Sequence, residues 1–316
     1  MAVATGDGEQ RVALITGASR GIGKVCAQYL ARAGYDVAIT ARTVHEGEAR
    51  EHSSTLKKSK TDPLPGSLDS TAALVEAEGR QALPVAADLL DPVSLGACVA
   101  TVLERWGRVD VVVHNGRYIG PGHMDLFLDT PVDLIEKQVY ANAIAPLHIN
   151  RMVLPGMVAR GSGTVVSISS ASGYADPTLP AGQGGWGLGY AMSKGAFHRV
   201  AGLLATELAG TGVRCFNVQP NLIATERIAA DMAEFGIENV GAPADVVGAV
   251  VAWLVTDPEA AELNGQNIEA QFFCHERGLL PGWEGPRINE APIRYDLSGK
   301  VLADLETGLR AQQAAG

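Results

Sequence analysis

Short runs of apolar residues recur along the chain: V-A-L-I-T at 12–16, D-V-A-I-T at 36–40, then Ala82–Ala87, Val109–Val113, Thr164–Ile168, Val213–Val218 and Asn267–Ala270. Runs without polar alternation predict strands covered on both faces. Between nearly all of them the pattern changes to helical spacing, as in the amphipathic stretch from Ile22 to Ala33 that ends at Gly34. Strands alternating with helices predict an α/β fold with a doubly wound parallel sheet of about seven strands, in a single domain over residues 11–270. Three stretches break the rhythm. Residues 43–68 are polar with two prolines and read as a long surface loop between the second strand and its helix. Residues 171–189 are rich in Gly and Pro, and residues 271–316 form a C-terminal extension that starts with Phe272, Phe273 and Trp283.

Composition narrows the function classes. The 316 residues are 47% hydrophobic, ample for a core, and the net charge of −10 argues against a nucleic-acid surface. The only dense basic run, L-K-K-S-K at 56–60, is short. The first ten residues lack a basic start and an apolar core, and the longest apolar run, Val246–Val255, is too short to span a bilayer. A soluble, cytoplasmic protein is expected. Cys26, Cys98, Cys215 and Cys274 stand far apart without ligand spacing, which predicts reduced thiols and no metal.

Chemistry gathers first at Y-A-M-S-K, Tyr190 to Lys194. On a helix over 190–209 these two are four positions apart and share a face. An ammonium beside a phenol favours the phenolate, so the pair suits proton transfer to or from an oxygen. The second concentration is T-G-A-S-R-G-I-G at 16–23, between the first strand and first helix. Gly17, Gly21 and Gly23 allow close backbone approach, and the helix N-terminus beside them favours an anion such as a pyrophosphate. After the second strand, Arg42 stands where a carboxylate would bind a ribose 2′-hydroxyl, and Arg20 lies in the glycine turn; two guanidiniums favour a 2′-phosphate. A third feature is Pro146, which has no N–H for the carbonyl of Asn142 in an otherwise helical 131–159.

Taken in order, T-G-A-S-R-G-I-G, Asp88-Leu89, His114-Asn115-Gly116, Asn142, Ser169-Ser170, Tyr190 with Lys194, and Pro220 with Thr225 resemble the motif set of the short-chain dehydrogenase/reductase family, classical type. The resemblance covers about residues 11–270 and implies a Rossmann-type catalytic domain. It implies that Gly17, Ser19, Arg20, Gly21, Ile22 and Gly23 form the phosphate side of a dinucleotide site, with Arg42 selecting NADP(H) over NAD(H). It implies further that Asp88 and Leu89 meet the adenine, backed by Asn115 and Gly116. Lys194 would bind the nicotinamide ribose, Pro220, Ile223 and Thr225 would lie at the nicotinamide, and Ser170 would hydrogen-bond the substrate oxygen. Asn142 would support a proton path to Tyr190. The chain departs from the pattern in three places. H-N-G-R puts Arg117 where a small residue would pack on the adenosine side, Pro220-Asn221 replaces Pro-Gly, and the gap from Ser170 to Tyr190 is long, adding a rim with Trp186.

The expected activity is reversible hydride transfer between NADPH and a ketone, aldehyde or secondary alcohol, with a hydrophobic substrate favoured by the apolar rim and tail. A catalytically silent dinucleotide sensor or scaffold is the alternative, and the full Ser, Tyr, Lys and Asn set counts against it. An epimerase or dehydratase of the related extended group would carry a differently spaced glycine turn. Family members pair through helices around 131–159 and 190–209, so a homodimer or homotetramer is expected. The aromatic start of the tail is expected to be ordered and to help close the substrate pocket of its own subunit or of a neighbour, the alternative being that it packs on the body of the domain away from the site.

Overall fold

The computed structural model describes residues 10–229, 241–286 and 293–295. Its strands are β1 (Val12–Thr16), β2 (Asp36–Ala41), β3 (Ala82–Ala86), β4 (Val111–His114), β5 (Gly163–Ile168), β6 (Ala175–Pro177), β7 (Val213–Gln219), β8 (Ile223–Ala224), β9 (Ala242–Pro243), β10 (Asn267–Glu269) and β11 (Ile293–Tyr295). The main helices are α1 (Gly21–Arg32), α2 (Leu68–Ala77), α3 (Pro92–Trp106), α4 (Val132–Val139), α5 (Ala145–Arg160), α6 (Leu188–Glu207), α7 (Asp245–Thr256) and α8 (Ala270–Glu276). Each of the seven apolar runs became a strand of one sheet, in the order β10-β7-β5-β4-β1-β2-β3, with all neighbours parallel.

The unbroken apolar runs follow from a sheet covered on both sides. Successive side chains point to opposite faces, so Leu14 enters one core and Ile15 the other. On the first side, α1 and α7 pack Cys26, Leu30, Val246, Val250 and Leu254 against Ile15, Ile39 and Val113. On the second, α3, α5 and α6 bring Val99, Ile149, Met157 and Ala201 against Leu14, Val112 and Val165. From β1 the sheet continues to β2 on one side and to β4 on the other. This reversal opens a crevice at the carboxyl ends of the strands, where ligands bind in open α/β sheets.

Local chemistry places the helices around that crevice. Ser67 and Ser70 form a capping box at the start of α2, and Asp91 caps α3 with Pro92 in its first turn. Between α4 and α5 the helix widens over Tyr140–Ile144, and the Ala145 N–H reaches back to the Tyr140 carbonyl. Pro146 sits just beyond, so the missing donor is absorbed by a wider turn rather than a break.

The helix α2 begins at Leu68 with Ser67 as its cap, and residues 43–66 before it are more than a surface loop. His52 and Ser53 are buried, and the Met124 N–H donates to the Ser54 carbonyl at 2.8 Å. Asp125 accepts from the Thr55 hydroxyl at 2.5 Å and from the Leu56 N–H at 2.8 Å. The stretch is a folded flap laid over the crevice. In the extension, Phe273 packs edge-on against Trp253 with ring centres 5.0 Å apart, and Arg277 stacks on both rings. Trp283 joins the same core, while Phe272 stays 46% exposed. Phe273 and Trp283 therefore cover the body of the domain at α7, and neither they nor Phe272 line the crevice. Further on, β11 pairs antiparallel with β6. Among the described residues no helix is long and apolar enough to cross a membrane, no group could hold a metal, and the four cysteines are free and buried.

Candidate active site

A cavity of about 1180 Å³ lies over the carboxyl ends of the central strands. Gly17, Ser19, Arg20, Gly21 and Ile22 line one end, with Asp88, Leu89, Asn115 and Gly116 beside them. The turn is built for backbone contact. A Cβ on Gly23 would stand 2.4 Å from the Gly17 carbonyl oxygen, and a Cβ on Gly17, where φ is +66°, would meet the Gly116 backbone at 2.7 Å. Gly23 itself is thus behind the wall, holding the turn closed. Asn115 locks this arrangement by donating from Nδ2 to the carbonyls of Thr16 and Gly17 at 3.1 and 2.9 Å. The Thr16 hydroxyl accepts from the amides of Asn115 and Gly116 at 3.1 and 2.9 Å. A glycine cradle at a helix N-terminus is what a dinucleotide phosphate requires, and the Gly21 N–H already serves an anionic group, donating to the Glu226 carboxylate at 2.9 Å, so the residues present fit a phosphate.

Arg42 lines the cavity beyond β2. Arg20 lines it too, but its guanidinium donates to the carbonyls of Leu64, Pro65 and Gly66 at 3.2, 2.9 and 2.7 Å, so it ties the flap to the glycine turn.

At the other end stand Tyr190 and Lys194, on the first turns of α6, with Pro220, Ile223 and Thr225 opposite. Lys194 is 4% exposed and donates to the Ile168 carbonyl at 2.8 Å. Burial, reinforced by the nearby charge of Arg117, pushes its ammonium down to about 7. Pairing with Tyr190 alone describes a permanent cation; burial makes it a group that titrates near neutrality. Asn142 is buried behind the wall and acts through its side chain: Oδ1 accepts from the Tyr118 N–H at 2.6 Å and Nδ2 donates to Ser193 Oγ at 2.8 Å. Ser193 Oγ in turn donates to the Tyr190 carbonyl at 2.8 Å. The widened turn therefore fixes the start of α6.

Of the two serines after β5, Ser169 lines the cavity, with its hydroxyl 3.3 Å from His198 Nδ1. Ser170 caps the turn 171–173, its Oγ accepting from the Ser172 amide and hydroxyl at 3.3 and 3.0 Å. Two accepted bonds leave the Ser170 proton to be donated elsewhere. Asn221, which takes the place of a glycine, has φ +57°. Asn tolerates this left-handed region, and Gln219 holds it, with Nε2 donating to Asn221 Oδ1 at 2.8 Å and to Glu269 at 3.0 Å. Gln271 Nε2 donates to the Pro220 and Leu222 carbonyls, both at 3.1 Å. Substitution of the glycine thus leaves the turn conformation in place.

Two residues of the site escaped the motif reading. Arg117 faces Tyr190, not the adenosine side: its guanidinium carbon is 5.9 Å from the tyrosine ring centre. His123 packs edge-on against Tyr190 with ring centres 4.2 Å apart, and burial, then the charges of Arg117, Arg227 and Lys194, hold its imidazole well below its usual range. The only signal for Arg117 was its departure from a small residue; His123 had none.

A glycine cradle at β1 and a tyrosine, lysine and serine group at β5 and α6 define a nicotinamide-dinucleotide oxidoreductase. The model of the short chain dehydrogenase family matches residues 11–69 and 61–234. L-rhamnose 1-dehydrogenase (NAD(P)(+)) of Sphingomonas sp. (strain SKA58) is 31% identical over 263 residues, covering 80% of this chain and 91% of the relative. Cyclohexanol dehydrogenase of Rhodococcus sp. (strain TK6) is 28% identical over 257 residues, covering 78% of this chain and 90% of the relative. Carveol dehydrogenase from Mycobacterium avium, solved in complex with NAD, superposes with a TM-score of 0.66 at 22% identity, covering 82% of this chain and 95% of that one, which supports the fold. The chain belongs to the short-chain dehydrogenase/reductase family. It is a dehydrogenase or reductase that uses a nicotinamide dinucleotide and acts on CH–OH or C=O groups.

Proposed function

We propose a classical-type, NADPH-preferring carbonyl reductase that also runs as an alcohol dehydrogenase, with Tyr190 as the acid and base. The observation that carries this reading is the convergence of Tyr190 and buried Lys194 on the cavity end opposite the glycine cradle. When bound there, the dinucleotide supplies or accepts the hydride. Tyr190 gives its proton to the carbonyl oxygen as negative charge develops, and takes it back in the reverse direction. Ser170, already an acceptor from Ser172, donates its own proton to the same oxygen. Lys194 orients the ribose and returns protons to Tyr190, a role suited to a group that titrates near 7. Asn142 holds the first turn of α6 through Ser193.

Arg42 supports the NADP(H) preference, because a guanidinium at the end of β2 suits a 2′-phosphate better than a 2′-hydroxyl. Pairing is supported by Ile144, Leu147 and Met152 on α5 and its approach and by Met192 and Leu203 on α6, all exposed apolar side chains. A homodimer or homotetramer follows from that reading, and light scattering checks it.

Tyr190→Phe decides the mechanism. Carbonyl reduction, followed as NADPH oxidation, should fall by at least about a thousandfold, while NADPH binding stays within about threefold. Reduction at the wild-type rate would remove Tyr190 from the chemistry. Arg42→Asp should lose about 1.5–3 kcal/mol of NADPH affinity, about tenfold or more, and gain toward NADH. Equal titrations of the unmutated enzyme by both dinucleotides would end the NADP preference.

A further inference from the structure

A single carboxylate joins the two walls of the reacting end. Glu269 closes the edge strand β10 and stands opposite Gln219 of β7 in the register of the sheet. Its Oε1 accepts from the Tyr174 hydroxyl at 2.6 Å and from Asn267 Nδ2 at 3.0 Å, and its Oε2 accepts from Gln219 Nε2 at 3.0 Å. These donors offset the desolvation of a partly buried carboxylate. Two of them belong to different walls. Tyr174 ends the turn 171–173 that Ser170 caps, whereas Gln219 leads into the loop 220–222.

On the serine side, Tyr174 lays its ring on His198, with ring centres 4.9 Å apart, and His198 continues the face of α6 that carries Tyr190 and Lys194. The Ser169 hydroxyl meets the same His198 at Nδ1. On the other side, buried Gln219 holds Asn221 twice, donating to its Oδ1 at 2.8 Å and accepting from its N–H. Asn221 needs that grip, because a φ of +57° is a conformation that residues with a Cβ keep only when their surroundings impose it. The link thus runs unbroken from Tyr174 through Glu269 and Gln219 to Asn221, and its two bonds at Glu269 are of the stronger, charge-assisted kind. Neither Tyr174, Gln219 nor Glu269 is among the described residues that line the cavity, so all three act from behind its walls.

On the reading of Tyr190 and Ser170 as the groups that act on the substrate oxygen, we propose that Glu269 is a positioning residue that yokes the serine turn to the loop 220–222. The wall that holds the substrate oxygen and the wall that faces the nicotinamide then keep one spacing. Transfer between two bound reactants is steep in their separation, and a displacement on the order of 1 Å can cost about a hundredfold in rate. Glu269 touches neither reactant. It sets how far apart the groups that do touch them are held.

The test uses the full chain and cuts the link from either side. Tyr174→Phe removes the serine side and leaves Glu269 its bonds from Asn267 and Gln219; Gln219→Met removes the loop side and leaves those from Asn267 and Tyr174. Amide hydrogen exchange reads the coupling directly. Tyr174→Phe should speed exchange over residues 221–224, and Gln219→Met should speed it at the Gly173 and Tyr174 amides, which donate to Ser170 and Ala171. Each effect should be about tenfold or more, with the amides of β1 and β4 still protected. With NADPH and the fastest of cyclohexanone, acetophenone and benzaldehyde, each variant should lose about tenfold or more in kcat, while NADPH affinity, followed by its fluorescence, stays within about threefold. The double variant should lose little more than the worse single one, because both cut the same link. Glu269→Gln keeps one acceptor oxygen, can serve one wall only, and should match a single variant. Exchange that speeds up only on the wall carrying the substitution would overturn the proposal and leave the reductase reading intact. So would losses that multiply in the double variant, or a kcat unchanged in both single ones. Exchange needs no substrate: if none of the three compounds is reduced, that failure counts against the reductase reading, and the far wall still decides the proposal by speeding up or staying as it was.

Discussion

Lys194 shows how a catalytic residue works against the fold that holds it. Its ammonium is buried under Ile168 and pushed down to about 7 from an ordinary value of 10.5, first by burial and then by Arg117. The unfolded chain keeps this proton up to pH 10.5, whereas the folded chain has largely released it above 7. Stability therefore rises with pH between those values and carries the full charge penalty below 7. Lys194→Met removes the titration. The melting temperature of the wild type should gain on that of Lys194→Met as pH goes from 6 to 9; a constant difference would show that the lysine is not held in this state. Asn115 offers the contrasting case, a neutral side chain whose two bonds to the glycine turn make it structural and functional at once. The motif pointed to Asn115 for the adenine side, and its two bonds to the glycine turn were not read from it; Gly17 was legible as a place of close backbone approach, because only a residue without Cβ fits 2.7 Å from another backbone. Arg117 was not, since the direction of a long side chain is set by what surrounds it.

At the scale of elements, the strands were readable because each is covered on both faces and so carries an unbroken apolar run. Pro146 marked a disturbed helix with a free Asn142 carbonyl; that the disturbance is a wider turn over Tyr140–Ile144 was not readable from it. The flap over residues 43–66 was not readable either, for its burial depends on partners far away in sequence: Met124, Asp125 and Arg227. Its polar, proline-rich composition is that of a solvated loop, and half of it is one. Arg20 anchors its far end through three carbonyls. Bonds from a charged donor are worth about 1.5–3 kcal/mol each, so Arg20→Ala should make local opening of the flap easier. Trypsin cleavage at Lys57 and Lys58 should become about tenfold faster or more, with the core strands still protected. Cleavage at an unchanged rate would mean that the flap is held from its other contacts alone.

For the molecule as a whole, the extension does two separate things. Phe273, Cys274 and Trp283 complete the core over α7, and Gln271 grips the loop of Pro220 to Leu222 at the nicotinamide end. A chain ending at residue 269 loses all four and should melt at least about 10 °C lower. A chain ending at residue 286 keeps them and loses β11, whose partner β6 follows the turn capped by Ser170. It should melt within a few degrees of the full protein, with KM for the carbonyl substrate raised. Equal melting of the 269-residue chain and the full protein would contradict the packing of the tail on the body. The sequence predicted an ordered aromatic start; that it covers the body instead of the pocket follows from α7, whose outward-facing Trp253 offers a ring to meet.

The sheet order also has a consequence for synthesis. β5, which ends at the serines, is bordered on one side by β4 and on the other by β7, and β7 in turn by β10, whose last residue is Glu269. A nascent chain that has emerged only as far as Lys194 already contains the tyrosine, the lysine and both serines, but one edge of β5 stays open until Val213–Gln219 leaves the ribosome. Gln271, which fixes the opposite wall, follows later still. Catalytic competence thus arrives late in translation, and a truncated product presents an exposed parallel edge in place of an active enzyme.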